Sequence, residues 1–409
     1  MLFFAGRCGL VFGGAQRLRR AALRIPVTGF KRRPFITRIS SLCGILIPLI
    51  LRQSKYSPIR TVSIAAILGG YVIRADLKGA VPDCADVRTV GIPRALLWWR
   101  YGVMWQTFFE QLGRTVVLSG ESDASSFERG DALSVDECCL ASKLYMGHVE
   151  ELVRGGACDA LFIPSWANEG RFLGFCTKFQ ALPDIVNNTY YGRRDAPRVL
   201  SLLVEAQQTH SFEEDSFVDL GVRLGATKHE ARSAYKKATV AQLRADEARR
   251  RKQRELVAKV KKMPQAQRPL TILVAAHPYV AHDPMVGKPV VDMLRDMGVC
   301  VLFSDACDAD RAVKESFEFS PTLPWLVNRE IVGSVANMRD EVDGVVVMSS
   351  FPCGPDSMTN DAMALRMKGV PMLTLTIDAQ SGQAGLETRV ESFVDILNYR
   401  RKGGYLHER

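Results

Sequence analysis

The stretch LTILVA at residues 270–275 decides the fold, because a short apolar run of this kind is typical of a buried strand. A helical pattern follows at residues 290–297, and another apolar run follows at 299–303. The alternation continues with helices at 323–339, 361–368 and 385–397 and strands at 342–348 and 372–377. This β-α-β rhythm predicts a parallel sheet with helices on both faces.

The same rhythm occurs upstream, from residue 87 onward. It predicts strands at 87–92, 115–118, 160–163 and 199–205, with helices at 95–112 and 136–154. Between the two halves, Thr227 and Glu230 form a capping box that begins a polar helix ending at Lys262, before Pro264. We therefore predict an α/β protein with two doubly wound parallel-sheet lobes, residues 87–226 and 269–402, joined by a long helical linker, 227–268, and followed by a tail, 403–409.

The net charge of +10 is unevenly distributed along the chain. Residues 1–75 carry 13 Lys and Arg and no acidic residue, whereas the remainder carries 41 basic and 44 acidic residues. The body therefore lacks the basic excess of nucleic-acid-binding proteins, and we expect no nucleic-acid partner. The basic run at 249–252 favours a solvated, ion-paired helix face, with nucleic-acid binding as the alternative.

Residues 1–86 differ in composition from the body and predict a basic, poorly ordered N-terminal extension. Its apolar runs, 42–51 and 62–73, are too short for a membrane span, so we do not expect the chain to cross a membrane, and a membrane partner is the less favoured interpretation. Three interpretations remain open. The segment is a transit or secretory presequence, a membrane-surface anchor, or a translation of sequence upstream of a start at Val81 or Val87.

Three of the ten cysteines stand out by their surroundings. Cys139, Cys176 and Cys353 lie at loop or helix-start positions near the edge where doubly wound sheets bind ligands. Helix N-termini favour the thiolate form that binds metals. The alternative is that they are small buried hydrophobes, because no Cys-x-x-Cys pair is present. The long α/β body predicts a reducing, cytoplasmic environment, where disulfides are uncommon.

Several motifs occur in an order that resembles a known family. They are VGIPRAL (90–96), VDECCL (135–140), CTKFQALPD (176–184), HPY (277–279), FPCGPDS (351–357) and IDAQSGQAG (377–385). Residues 87–402 resemble the proteins related to 2-hydroxyacyl-CoA dehydratases, in particular the branch of domains found alone or fused behind acyl-CoA dehydratase activases. Ala141 and Gln380 depart from the pattern, where the family usually has Pro and a His-type residue.

The resemblance implies a [4Fe–4S] cluster held by Cys139, Cys176 and Cys353, with the fourth iron open. It implies low-potential electrons from an ATP-dependent activase, a small-molecule substrate such as an acyl-CoA, and anaerobic metabolism. A related second subunit or a homodimer is a further implied partner. No P-loop or actin-like ATPase region is recognised, so we do not expect this chain to be the activase itself. A non-catalytic accessory or electron-transfer subunit, and a zinc site on the same cysteines, are the alternatives.

Two further residues are candidates for catalysis. His277 follows a predicted strand, where it would transfer protons or donate a hydrogen bond to the cluster; a structural loop histidine is the alternative. Arg94 follows the first strand, where it would meet an anion or thioester; a salt bridge is the alternative. Asp356 is predicted to cap the helix after Cys353.

Overall fold

A computed structural model describes residues 66–68, 71–73, 83–207, 210–211, 213–380 and 382–404. The chain divides into two compact units, residues 1–77 and 78–409. In the first unit, strands β1 (Ala66–Leu68) and β2 (Tyr71–Ile73) pair as an antiparallel hairpin. The prediction of a poorly ordered extension over residues 1–86 otherwise lies almost wholly outside the described residues, as does most of the tail 403–409.

The first lobe of the second unit is built on a parallel four-stranded sheet of order β4-β3-β5-β7. Two smaller sheets pair β6 with β8 in parallel and β9 with β10 in antiparallel fashion. The strands of this lobe are β3 (Thr89–Ile92), β4 (Thr115–Leu118), β5 (Ala160–Phe162), β6 (Ser165–Trp166), β7 (Val199–Leu200), β8 (Leu203–Val204), β9 (Ala206–Gln207) and β10 (His210–Ser211).

The prediction of one strand over residues 199–205 is wrong, because two short strands, β7 and β8, occupy that stretch in different sheets. The break has a counterpart in the facing segment, where Ile163 and Pro164 separate β5 from β6. Hydrogen bonds from Ile163 N to Leu200 O and from Ser165 N to Leu202 O continue the pairing on either side.

Five helices accompany these strands among the described residues. They are α1 (Trp98–Gln111), α2 (Ala124–Asp131), α3 (Leu140–Gly155), α4 (Thr177–Thr189) and α5 (Glu213–Arg223). Helix α3 begins four residues later than predicted, directly after Cys139. It ends at Gly155, and the next residue, Gly156, adopts a left-handed conformation with φ of 59° that suits glycine.

The predicted linker is one continuous helix, α6 (Lys228–Lys262), and its capping box is confirmed. Thr227 Oγ1 accepts from Glu230 N at 3.2 Å, and Thr227 N donates to the Glu230 carboxylate at 2.8 Å. The helix packs against α1 and α5 of the first lobe. Further along, the Gln253 amide bonds both backbone groups of Phe303 in the second lobe, so α6 contacts both lobes.

The second lobe repeats the architecture, with a parallel sheet of order β12-β11-β13-β14. Its strands are β11 (Thr271–Ala275), β12 (Cys300–Phe303), β13 (Gly344–Ser350) and β14 (Met372–Ile377). Its helices are α7 (Pro278–Ala281), α8 (Lys288–Asp296), α9 (Ala309–Phe319), α10 (Leu326–Met338), α11 (Gly354–Arg366) and α12 (Gln383–Arg401), and short 3-10 turns lie at Gln265–Gln267 and Ser304–Ala306. Helix α11 begins seven residues earlier than predicted.

Alternate residues of β11 enter different hydrophobic clusters, which shows that helices cover both faces of the sheet. Ile272 and Val274 pack with residues of α8 and α12. Leu273 and Ala275 pack with residues of α10 in the cluster that also holds the core of the first lobe. The two parallel-sheet lobes joined by a helix are therefore as predicted. The exact domain boundaries stay a prediction.

Buried polar contacts connect the two lobes. Arg100 on α1 forms a two-pronged ion pair with Glu330 on α10, at 2.7 and 2.8 Å. Ser122 Oγ, in the first lobe, lies 2.9 Å from His148 Nε2 on α3 and donates to Asp283 of the second lobe at 2.5 Å. All three residues of this second contact are buried.

Candidate functional site

A cavity lies where the carboxyl ends of the strands in both lobes meet, the edge at which doubly wound sheets bind ligands. It comprises about 560 Å³ of space, part of it open to solvent. Segments following β3, β5, β11 and β13 supply much of its wall. The lining is mostly apolar and consists of Leu96, Leu97, Cys139, Ser142, Gly174, Phe175, Cys176, Lys178, Phe179, His277, Tyr279, Trp325, Val327, Asn328, Cys353 and Pro355.

The three cysteines singled out by sequence all line this cavity. Each occupies the N-cap position of a different helix: Cys139 precedes α3, Cys176 precedes α4, and Cys353 precedes α11. None uses its side chain to cap its helix. Three helix N-termini, with their partial positive charge, therefore converge on one space that favours anionic ligands.

Backbone hydrogen bonds between the lobes hold these helix starts in place. Leu140 N, the first amide of α3, donates to the carbonyl of Phe351 at 2.8 Å, which joins the Cys139 and Cys353 segments. The Cys176 segment is joined to the second lobe at Gly174. Its N–H donates to Pro324 O and its carbonyl accepts from Leu326 N, both at 2.8 Å.

Burial dominates the electrostatics of two of the thiols. It raises the pKa of Cys176 and, more strongly, that of Cys353, where the neighbouring Asp356 adds to the effect. This differs from the expectation that helix N-termini alone would favour the thiolates. Without a cation in the cavity these two thiols keep their protons at neutral pH. Metal binding would release those protons, as it does at thiolate sites generally.

A buried polar group forms one side of the cavity. His277 Nε2 lies 2.8 Å from Asp356 Oδ1, and Asn328 Nδ2 donates to the same oxygen at 2.9 Å. Burial acts to raise the pKa of Asp356, but the contacts with His277, Asn328 and Cys353 together outweigh it and lower that pKa. Because the ionised Asp356 carboxylate can only accept, the ring proton of His277 lies on Nε2. His277 Nδ1 and Asp356 Oδ2 have no hydrogen-bond partner among the described residues.

Asp356 therefore does not act as the simple helix cap that its position after Cys353 suggests. Its carboxylate accepts from the imidazole of His277, one strand away in the sheet. Carboxylate–histidine pairs fix the orientation and tautomer of an imidazole at functional sites.

Arg94 is not among the residues that line the cavity. Its guanidinium pairs with Glu121 at 3.0 Å and lies over the Trp98 ring, 5.2 Å from the ring centroid. The structure thus has the salt bridge that was the alternative interpretation, and a catalytic role for Arg94 stays a prediction. Cys138, next to Cys139 in sequence, also does not line the cavity.

The cavity contains three thiols, the donor groups that bind iron–sulfur clusters. Within the described residues, no group of three or more His, Cys, Asp and Glu side chains is arranged to hold one ion. That arrangement is what the zinc alternative requires. The thiolates of a cubane bind different irons and so lie farther apart. Three thiols on separate helices around an apolar cavity have the donor chemistry of such a cluster.

Tyr279, Trp325 and Asn328 are among the lining residues that the sequence interpretation of the site missed. Tyr279 belongs to a recognised motif, but only its placement in the cavity wall identifies it as a site residue. Trp325 and Asn328 begin α10, and no local pattern links them to the cysteines. The one sequence signal for Asn328 was a polar amide within an otherwise apolar helical pattern, which needs a hydrogen-bond partner when it is buried. In the structure Asn328 is 2% exposed.

Comparisons with solved structures give only weak likenesses. A periplasmic metal binding protein from Candidatus Liberibacter asiaticus is 10% identical, with a TM-score of 0.21; the match covers 76% of this chain and all of that one. The periplasmic zinc binding protein TroA from Treponema pallidum is 12% identical, with a TM-score of 0.23 and coverage of 76% and 97%. Similarities this low support no functional argument. No curated protein matches the chain.

Comparison with protein families is more informative. The family described as the CoA enzyme activase uncharacterised domain (DUF2229) matches residues 89–307, more than half of the chain. The match contains Cys139, Cys176 and His277 and ends before Cys353. No helix in the described parts of the chain is long and apolar enough to cross a membrane. The chain belongs to the CoA enzyme activase uncharacterised domain family.

Proposed function

We propose that this protein binds a [4Fe–4S] cluster through Cys139, Cys176 and Cys353 and works in a system of the acyl-CoA dehydratase type. In this proposal it accepts low-potential electrons from an ATP-dependent partner protein and acts on a small molecule, such as an acyl-CoA. The observation that carries the proposal is the convergence of three cysteines, far apart in sequence, on one cavity.

The electrostatics of the cavity support this proposal. Three helix N-termini and the ammonium of Lys178, which also lines the cavity, offset the negative charge of a thiolate-ligated cluster. Family membership supports a link to CoA enzymes and their activases. When bound, the cluster supplies one-electron transfer and an open iron that acts as a Lewis acid.

The chain's own residues have distinct tasks in the proposal. His277, oriented by Asp356, holds or moves a proton at Nδ1, the atom without a described partner. Asn328 keeps the Asp356 carboxylate in position through its amide. The apolar side chains, Phe175 and Phe179 among them, exclude water from the space beside the thiols.

Anaerobic purification followed by iron and sulfide analysis tests the proposal. We expect about four irons and four sulfides per chain, as the cubane composition requires, and an EPR signal after reduction by dithionite. Cys353→Ser should lose the cluster, whereas Cys138→Ser, the matched control outside the cavity, should keep it. A folded wild-type chain that takes up no iron during anaerobic reconstitution would refute the proposal.

An accessory electron-transfer subunit is the second candidate. The mostly apolar cavity that the three cysteines line supports direct action on a substrate instead, because a pure electron carrier needs no pocket. A cluster-loaded chain whose EPR spectrum responds to none of the acyl-CoA compounds tested, while it passes electrons to another protein, would favour the accessory role.

A further inference from the structure

Tyr279 lies in the cavity wall together with all three cysteines. It belongs to the short helix α7, which begins after His277 at the end of β11. Its ring stacks on the His277 imidazole at a centroid distance of 4.8 Å and an interplanar angle of 23°. The Phe179 ring meets it edge-on at 5.9 Å. These two rings fix the plane of the phenol.

Three other polar groups of the wall are already engaged. His277 Nε2 and the Asn328 amide are both directed to Asp356. The Ser142 hydroxyl lies 3.2 Å from the sulfur of Cys139. In the part of the chain that the structure describes, no hydrogen bond of the Tyr279 hydroxyl is found. The phenol is therefore an uncommitted donor in a mostly apolar cavity.

A phenol in this position can donate a hydrogen bond to sulfur. A tyrosine hydroxyl carries its proton at neutral pH, and a sulfur atom can accept a hydrogen bond from it. The group therefore keeps its O–H and acts as a hydrogen-bond donor.

We propose that Tyr279 donates a hydrogen bond to a sulfur of the cluster held by Cys139, Cys176 and Cys353 and so sets its reduction potential. This inference rests on the proposed function. Reduction adds negative charge to the cluster, and a donor to its sulfurs stabilises the reduced form more than the oxidised one. Tyr279 is thus a positioning and tuning residue that raises the potential, and is not a ligand.

A redox titration followed by EPR tests the inference on anaerobically reconstituted full-length protein. Tyr279→Phe removes only the hydroxyl and retains the stacking against His277. We expect unchanged iron content and a lower midpoint potential. A tenfold change in the reduction equilibrium corresponds to about 59 mV for one electron. Tyr190→Phe is the matched control, because its hydroxyl bonds Glu150 and does not line the cavity.

The outcomes separate the two proposals. A wild-type chain without iron refutes the proposed function, and this inference with it. A fully loaded Tyr279→Phe variant with the wild-type midpoint potential refutes the inference alone. Loss of iron from a folded Tyr279→Phe chain also refutes it, because that result would assign Tyr279 to cluster retention. A midpoint shift of equal size in Tyr190→Phe would likewise overturn the assignment.

Discussion

Replacing His148 with glutamine should remove much of the protein's sensitivity to mild acid. His148 is fully buried on α3 and contacts Ser122, which in turn bonds Asp283 of the other lobe. Burial is the main reason that the pKa of His148 lies at about 4 rather than 6.5. The charged groups that also act on it are Glu151, Arg129, Arg94 and Asp123.

The direction of the effect follows from where the proton binds. Above pH 6.5 the imidazole is neutral in both the folded and the unfolded chain, so its protonation does not affect the free energy of unfolding. Between pH 6.5 and about 4, only the unfolded chain takes up the proton, and the free energy of unfolding falls as pH falls. The difference between the two pKa values corresponds to a loss of about 3 kcal/mol over that window.

Urea denaturation at several pH values between 7.5 and 4.5 measures this loss. The glutamine amide in His148→Gln can still contact Ser122 but does not titrate. Between pH 7.5 and 4.5, this variant should therefore lose up to about 3 kcal/mol less of its free energy of unfolding than wild type loses. Burial raises the pKa of Asp283, which works in the opposite direction but is present in both proteins. His229→Gln, an exposed control on α6, should behave as wild type. Equal pH slopes for His148→Gln and wild type would refute the reasoning.

Three further outcomes can be measured independently. Arg100→Met should lower the free energy of unfolding by about 3 kcal/mol, because it leaves the Glu330 carboxylate buried without its partner. In urea denaturation, the double variant Arg100→Met/Glu330→Leu should regain most of that loss. An Arg100→Met variant as stable as wild type would contradict this. Gly147→Ala should destabilise the chain by more than about 2 kcal/mol, because a Cβ there would lie 1.8 Å from the carbonyl oxygen of Ser126. The control Gly155→Ala, whose Cβ would have no atom within 4 Å, should be neutral or stabilising by about 0.5 kcal/mol. Equal effects of the two substitutions would contradict the close packing at Gly147. For the proposed [4Fe–4S] cluster, anaerobic removal of iron should lower the midpoint of thermal unfolding, because a cluster held by the three cysteines would bind only the folded chain. An unchanged midpoint would argue against that linkage.

Elements with a strong local pattern were predictable from sequence. The capping box at Thr227 correctly predicts the start of the long helix α6. The apolar strands β4 and β14 have the same first and last residues as predicted. The start of α11 was missed although Pro355, in its first turn, is a recognised helix-start signal. The division between β7 and β8 matches the gap between β5 and β6 in another segment, so no local pattern at residues 199–205 could reveal it.

The sequence could also select the three cysteines that line the cavity. Their loop or helix-start positions set Cys139, Cys176 and Cys353 apart, and the alternation of strands and helices predicts which sheet edge they share. The partners of His277 could not be selected in this way. Asp356 and Asn328 come from α11 and α10, and only the packing of those helices brings their side chains to one imidazole.

The hydrogen bond from Leu140 to Phe351 has a consequence for how the chain folds. The first turn of α3 is completed by a carbonyl from the other lobe, and the next amide, Ala141 N, bonds Ser350 Oγ across 209 residues of sequence. Closing so large a loop is entropically costly and slow compared with local helix formation. A fragment ending at residue 268 would lack both acceptors. The two lobes should therefore acquire their final stability in one cooperative step, after synthesis has passed β13.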